Sequence, residues 1–178
     1  MSELFDACKN GNFDNVKSLI ENGADVNEKN KWKETPLHIA CMYGHVDIVK
    51  LLIKKNADLN VKNNYGKTPL HISCIRGRVN IVKLLIKNNG DLNLKTSQEN
   101  TPFYLARICS HVDIVKLLIE NKIIINDLKN YKQKNKSSLI LNYNINLKYC
   151  YEQPTEKKDL IKNFEEYYKI NITNNKNE

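Results

Sequence analysis

Sliding the chain against itself by 33 residues lays Thr35-Pro36-Leu37-His38-Ile39-Ala40-Cys41 over Thr68-Pro69-Leu70-His71-Ile72-Ser73-Cys74, and residues 35–67 match 68–100 at 20 of 33 positions. A fixed period of this length constrains the fold more than any other feature. Each unit is one supersecondary module that cannot bury its own apolar face, so consecutive units have to stack. The register runs in both directions. Thr101-Pro102-Phe103-Tyr104-Leu105-Ala106 opens a further unit, and Ser2-Glu3-Leu4-Phe5-Asp6-Ala7-Cys8 sits one period before the first. Ile48-Val49-Lys50-Leu51-Leu52-Ile53 recurs at 81–86 and 114–119. Four units follow, about 2–34, 35–67, 68–100 and 101–133.

Within a unit the local chemistry predicts two short helices. Thr35 suits an N-cap, and Pro36 suits the first helical position, where its missing N–H costs nothing. Gly44, in register with Gly11 and Gly77, supplies the left-handed residue that ends this helix. A second helix is expected from about Val46 to Lys54, apolar on more than one face and therefore sandwiched between neighbours. It should end at Gly23, Asn56 or Asn89, residue types that enter the left-handed region most readily. About ten polar, extended residues then lead to the next Thr.

These residues resemble the ankyrin repeat, with its Thr-Pro-Leu-His motif at 35–38 and 68–71 and degenerate copies at 2–5 and 101–104. The resemblance implies an all-α solenoid of stacked antiparallel helix pairs, hairpin-like loops projecting at about right angles, and a divergent helical C-terminal cap. On this reading residues 1–126 form the repeat domain, 127–170 a degenerate repeat or capping segment, and 171–178 a disordered tail. The repeat frays in places. Lys33 and Glu99 replace the loop glycine kept at Gly66, which predicts strained or reshaped loops. Ser110 replaces the helix-ending glycine, and Lys122-Ile123-Ile124-Ile125 replaces the sequence at 23–26, so the regular array is expected to end there. The first unit has no loop before it, as an N-terminal cap would not. Beyond 126, the run of lysines at 129, 132, 134 and 136 contains no acid. Ser137-Ser138-Leu139 resembles a degraded repeat start, and the alternation from Tyr143 to Tyr151 leaves a strand open. Leu160, Ile161, Phe164, Tyr167 and Tyr168 have the spacing of an amphipathic capping helix.

Composition closes off several function classes. No apolar run exceeds five residues, far short of the ~20 that a membrane span needs. The N-terminus carries acids where a secretory signal would be basic and then apolar. An intracellular location, cytoplasm or nucleus, is therefore expected, with delivery into a host cell by an unseen route as the alternative. Phosphate-loop, nucleophile-elbow, zinc-protease and paired-cysteine motifs are all missing, so no enzyme, cofactor or metal is expected. The repeat accounts for the four histidines. The resemblance implies that His38 and His71 bond the Thr and neighbouring loop backbone, and His45 and His111 are expected at the surface or bracing loops. Cys8, Cys41 and Cys74 occupy a core register position, and stacked helices hold such atoms ~8–10 Å apart, beyond the ~7 Å reach of a disulfide. A reducing interior follows. Cys109, off register, is the candidate reactive thiol.

With no chemistry indicated, function falls to the surface that stacking creates. In the ankyrin family this is the concave face, made of loop tips and the exposed side of each first helix. Carried over by position, it places Lys29, Lys31, Trp32 and Glu34 at the first tip, with Met42 and Tyr43 on the following helix. Lys62, Asn64, Tyr65 and Lys67, then Ile75 and Arg76, belong to the next unit. The third brings Lys95, Ser97, Gln98, Asn100, Ile108 and Cys109. Trp32 and Tyr65 share a register position, and aromatic rings held in water behave as binding hot spots unless they fold back on their own loops. Lys29, Lys31, Lys62, Lys67, Arg76 and Lys95 face only Glu34 in this set, which predicts a basic strip and an acidic protein or peptide partner. Lysine abundance from an AT-rich genome weakens that inference. The expected function is a non-catalytic protein-protein interaction module, a monomeric scaffold, inhibitor or effector. The alternatives are an adaptor whose C-terminal segment recruits a second component and, at lower weight, a nucleic-acid-associated protein using the basic strip. No membrane partner is expected.

Overall fold

A computed structural model describes residues 2–121 of the chain, and among these residues it shows eight α-helices and no strand. The expected second segment, including the fifth repeat start, the possible strand and the capping helix, lies outside the described residues. The helices are α1 (Glu3–Asn10), α2 (Phe13–Glu21), α3 (Pro36–Tyr43), α4 (Val46–Lys54), α5 (Pro69–Ile75), α6 (Val79–Lys87), α7 (Pro102–Ile108) and α8 (Val112–Glu120). Each odd-numbered helix pairs with the even-numbered helix that follows it. The odd helices stack on one another in chain order, as do the even ones, giving two parallel layers.

Helix starts follow local chemistry. Thr35, Thr68 and Thr101 are the N-caps, each followed by Pro at the first helical turn. In the first two of these, the backbone N–H of the Thr donates to Nδ1 of the histidine three residues on, at 3.1 Å in both cases. The histidine thus does the work of the Glu in a capping box. In α7, Tyr104 takes that position and only the Thr101 hydroxyl remains as a cap, accepting from the Tyr104 N–H at 3.3 Å.

The core is the repeat seen in section. Leu37 and Leu70 are buried, as is Phe103 in the same register. Val49 and Val82, then Ile48, Ile81 and Ile114, then Leu52, Leu85 and Leu118 form further buried rows between neighbouring helix pairs. Full burial of such a side chain contributes roughly 1.5–3 kcal/mol, and every row draws on more than one unit. Single units are therefore bound into the stack by the side chains that make them apolar.

The departures from the repeat appear as backbone strain where they were expected. Lys33 (φ 58°), Glu99 (φ 60°) and Ser110 (φ 59°) adopt the left-handed region at positions held elsewhere by glycine. Asn56 and Asn89 also have positive φ, ending the second helices as Gly23 does. A side-chain-bearing residue in this region costs roughly 1–2 kcal/mol, partly offset by the greater unfolded-state freedom of glycine. Lys33→Gly, Glu99→Gly and Ser110→Gly are each expected to raise stability by about 0.5–1 kcal/mol in urea denaturation. Destabilisation by all three would contradict this account of the strain.

Candidate functional site

The extended residues between units fold into tight hairpins, and each hairpin is built from one polar side chain at its base. Asn30 Oδ1 accepts the backbone N–H groups of Trp32 and Glu34, both at 2.9 Å. Asn63 does the same for Tyr65 and Lys67, both at 3.0 Å. Thr96 Oγ1 takes the role in the third hairpin, accepting from Gln98 and Asn100 at 3.3 and 3.2 Å. Sequence reasoning passed over these three residues, although two Asn in the same register ahead of a turn are a sufficient signal.

Backbone bonds then join hairpin to hairpin. The Asn64 N–H donates to the Trp32 carbonyl at 2.9 Å, and the Ser97 N–H donates to the Tyr65 carbonyl at 3.1 Å. The Asn64 side chain adds a bond to the Lys31 carbonyl at 3.3 Å. Asn27 and Asn60 brace the bases from the other side, accepting the N–H groups of Asp58 and Asp91 at 2.8 Å. The tips are thus a fixed surface held from beneath, which is what allows aromatic rings to stand on it.

Trp32 is 42% exposed and Tyr65 61%, so neither ring is folded away under its own loop. The Lys31 ammonium lies 4.3 Å from the Trp32 ring centroid, and the Lys67 ammonium lies 5.8 Å from that of Tyr65. Such contacts contribute about 0.5–1 kcal/mol at exposed sites. On the first helices, Tyr43 is 44% exposed at the end of α3, stacked on the His45 ring. Arg76 caps the end of α5 and is exposed, and Ile108 stands exposed at the end of α7. Met42, Ile75 and Cys109 are half-buried, so they present edges and not whole side chains. Lys29, Lys62, Asn64 and Gln98 are exposed on the hairpins, and Lys67 is half-buried.

The basic strip is less uniform than its composition suggests. Lys95 pairs at 3.1 Å with Glu99, an acid that stands where the repeat has glycine. Lys62 spends its ammonium on the Lys95 carbonyl at 2.8 Å. Glu34, the expected lone acid, accepts from the Asn30 side-chain amide at 3.1 Å. Among the described residues the Lys95–Glu99 contact is the strip's one ion pair, so Lys29, Lys31, Lys62, Lys67 and Arg76 carry positive charge that no acid in contact neutralises.

The histidines are structural. A carbonyl can only accept, so His38 Nε2 donates to the Lys67 carbonyl (3.1 Å) and His71 Nε2 donates to the Asn100 carbonyl (3.2 Å). Each ring is neutral and ties its own helix start to the next hairpin. Burial lowers the pKa of both from the usual 6.5. That of His71 falls to about 4, with the nearby charges of Lys62 and Lys67 adding to the effect. His45 and His111 reach back to the carbonyls of Lys9 and Ile75 at 3.1 and 3.0 Å, and Arg78 in the same register reaches that of Met42 at 3.4 Å. This register position tethers each second helix to the preceding unit.

Cys8, Cys41 and Cys74 are buried free thiols, and desolvation pushes all three upward, Cys8 and Cys41 to about 12. Cys109 is free and half-exposed. Among the described residues no group of three or more His, Cys, Asp and Glu is placed to hold a metal ion, and no helix is long and apolar enough to cross a membrane.

Comparison with protein families gives a match to ankyrin repeats in three copies over residues 4–96 and to a further ankyrin repeat over residues 98–130. No curated protein matches the chain.

Proposed function

The chain belongs to the ankyrin-repeat family, whose members are in general protein-protein interaction modules, and from that premise we propose that this one is a non-catalytic module that grips a protein partner along its hairpin tips and first helices. One observation carries the reading. Trp32 and Tyr65 stand in solvent one repeat apart on a backbone ladder that fixes their spacing. Aromatic side chains offer a large contact area with only two torsions to order on binding, which suits them as anchors of an interface. Tyr43 and Arg76 extend the surface onto the helices. The side chains most suited to catalysis are committed elsewhere: His38 and His71 hold hairpins, and three of the thiols are buried and protonated. Three buried reduced thiols also suit work in a reducing compartment.

The test is Trp32→Ala combined with Tyr65→Ala, compared with wild type in affinity capture followed by mass spectrometry. Because neither ring belongs to the buried rows, the melting temperature should stay within about 2 °C, while retention of the partner falls at least ~10-fold. Unchanged capture would overturn the reading.

A further inference from the structure

The second helices carry charge in rows one period apart. Lys17, Lys50, Lys83 and Lys116 share one register position in α2, α4, α6 and α8. Three residues earlier stand Asp14, Asp47 and Asp113, but Asn80 in α6. Four residues later stand Glu21 and Glu120, but Lys54 in α4 and Lys87 in α6. The first and last of these helices thus keep an Asp-Lys-Glu pattern that sets acid beside lysine, and the middle two have lost it. A lysine-rich composition alone would spread over all four units.

Folding turns that difference into a patch. α4 and α6 are neighbours in the even layer, and Lys50, Lys54, Lys83 and Lys87 are exposed on them, with Lys55 exposed at the end of α4. Residues four apart are separated by roughly 6 Å along a helix, and packed helices lie ~8–10 Å apart. Lys50 meets Asp47 at 3.0 Å, whereas Lys54, Lys55, Lys83 and Lys87 have no acid at ion-pair distance among the described residues. Like charges four apart oppose helix formation, and the C-terminal end of the helix dipole, which favours a cation, offsets this for Lys54 and Lys87. Exposed acids frame the patch: Asp14 and Glu21 on α2, Asp113 on α8, and Asp58 and Asp91 beyond the ends of α4 and α6. Neither α4 nor α6 contains an aromatic residue.

We propose that the outer face of α4 and α6 is a second docking surface, which receives an acidic helix of a partner protein. Carboxylates four residues apart on that helix match the spacing of Lys50 with Lys54 and of Lys83 with Lys87, and cations beside them meet the framing acids. A nucleic-acid duplex or an anionic membrane is negative throughout, so its outlying phosphates would face Asp14, Glu21, Asp58, Asp91 and Asp113. A basic centre within an acidic frame therefore selects a protein surface of the reverse pattern over a uniform polyanion. The face belongs to the even layer and shares no residue with the hairpin tips and first helices, so it is independent of the reading given for them.

The experiment titrates the full chain, isotopically labelled, with an end-blocked, Ala-based helical peptide carrying Glu at every fourth position and Lys at both ends. A peptide with Glu and Lys exchanged is the control. At a physiological ionic strength, where exposed charges more than ~8 Å apart are largely screened, the Glu peptide should shift amide signals chiefly in α4 and α6, and the control should not. Lys54→Glu with Lys87→Glu puts back the residue found at this position in α2 and α8, so the melting temperature should stay within about 2 °C. Binding should weaken at least ~10-fold. Lys9→Glu with Lys33→Glu changes the net charge equally but away from the patch, and should weaken binding less than ~2-fold. Equal weakening by the two variants would reduce the effect to net charge and overturn the proposal. So would absence of peptide binding, shifts confined to the hairpins, or tighter binding of a duplex oligonucleotide or phosphatidylserine vesicles at this face. None of these results bears on the Trp32→Ala, Tyr65→Ala capture, which tests the other surface.

Discussion

Lowering the pH from 7 to 5 is expected to destabilise the stack by about 2 kcal/mol through His71 alone, with a further loss through His38. Each ring is usable by the fold only when neutral, because Nδ1 must accept the N–H of its N-cap Thr while Nε2 donates to the next hairpin. The folded pKa therefore lies below the unfolded value of 6.5, at about 4 for His71. With the folded value depressed, the unfolded chain takes up the proton first. The stabilisation is complete above pH 6.5 and is lost as the pH falls toward 4. The interval from 7 to 5 lies above the ordinary carboxylate range, so acid-side losses from Asp and Glu stay small in it. Thermal melts followed by circular dichroism should show a drop of roughly 5–10 °C. The double variant His38→Gln, His71→Gln should be less stable at pH 7, yet flatter across the interval. A wild-type melting temperature constant from pH 7 to 5 would contradict the assignment.

Gly66→Ala is expected to cost about 2–4 kcal/mol, more than the simple left-handed penalty. Gly66 has φ +70°, and a Cβ there would lie 2.5 Å from the backbone nitrogen of Ser97 and 2.9 Å from the carbonyl carbon of Thr96. Both belong to the backbone of the next hairpin, so no rotamer change can relieve the contact. The displaced segment carries the Ser97 N–H bond to Tyr65, and the damage should spread to that contact between hairpins. Lys33 is the informative comparison, because its own Cβ occupies the same register and the hairpins around it are already set to hold one. Lys33→Gly should therefore stabilise while Gly66→Ala destabilises by a larger amount in urea denaturation. Effects of equal size and opposite sign would show that φ alone, and not the close approach of Ser97, governs the position.

Much of the fold was legible because its information is local and repeated. The second helix was expected from about Val46 to Lys54 and is found there. Asn56 and Asn89 were expected to be left-handed terminators, and Lys33, Glu99 and Ser110 to mark departures, as their positive φ values show. Each of these follows from a residue and its near neighbours, read in a fixed register. The commitment of His38 and His71 to Thr and loop backbone followed from the resemblance, and the partners on the next hairpin appear only in the fold.

The sequence by itself determined the period, the paired helices, their caps and the rows of buried Leu, Ile and Val, since a 33-residue unit contains all the propensities that set them. Only the tertiary structure decided which polar groups are spent and which remain available. Lys95 meets Glu99, Lys62 meets the Lys95 carbonyl, and the equivalent Lys29 and the Lys31 N–H meet nothing among the described residues. Lys29 and Lys62 are the same residue type in the same register, yet only Lys62 reaches the carbonyl of the next hairpin, 33 residues along the chain. Contacts at that separation are set by how the units stack, and no local pattern reveals them.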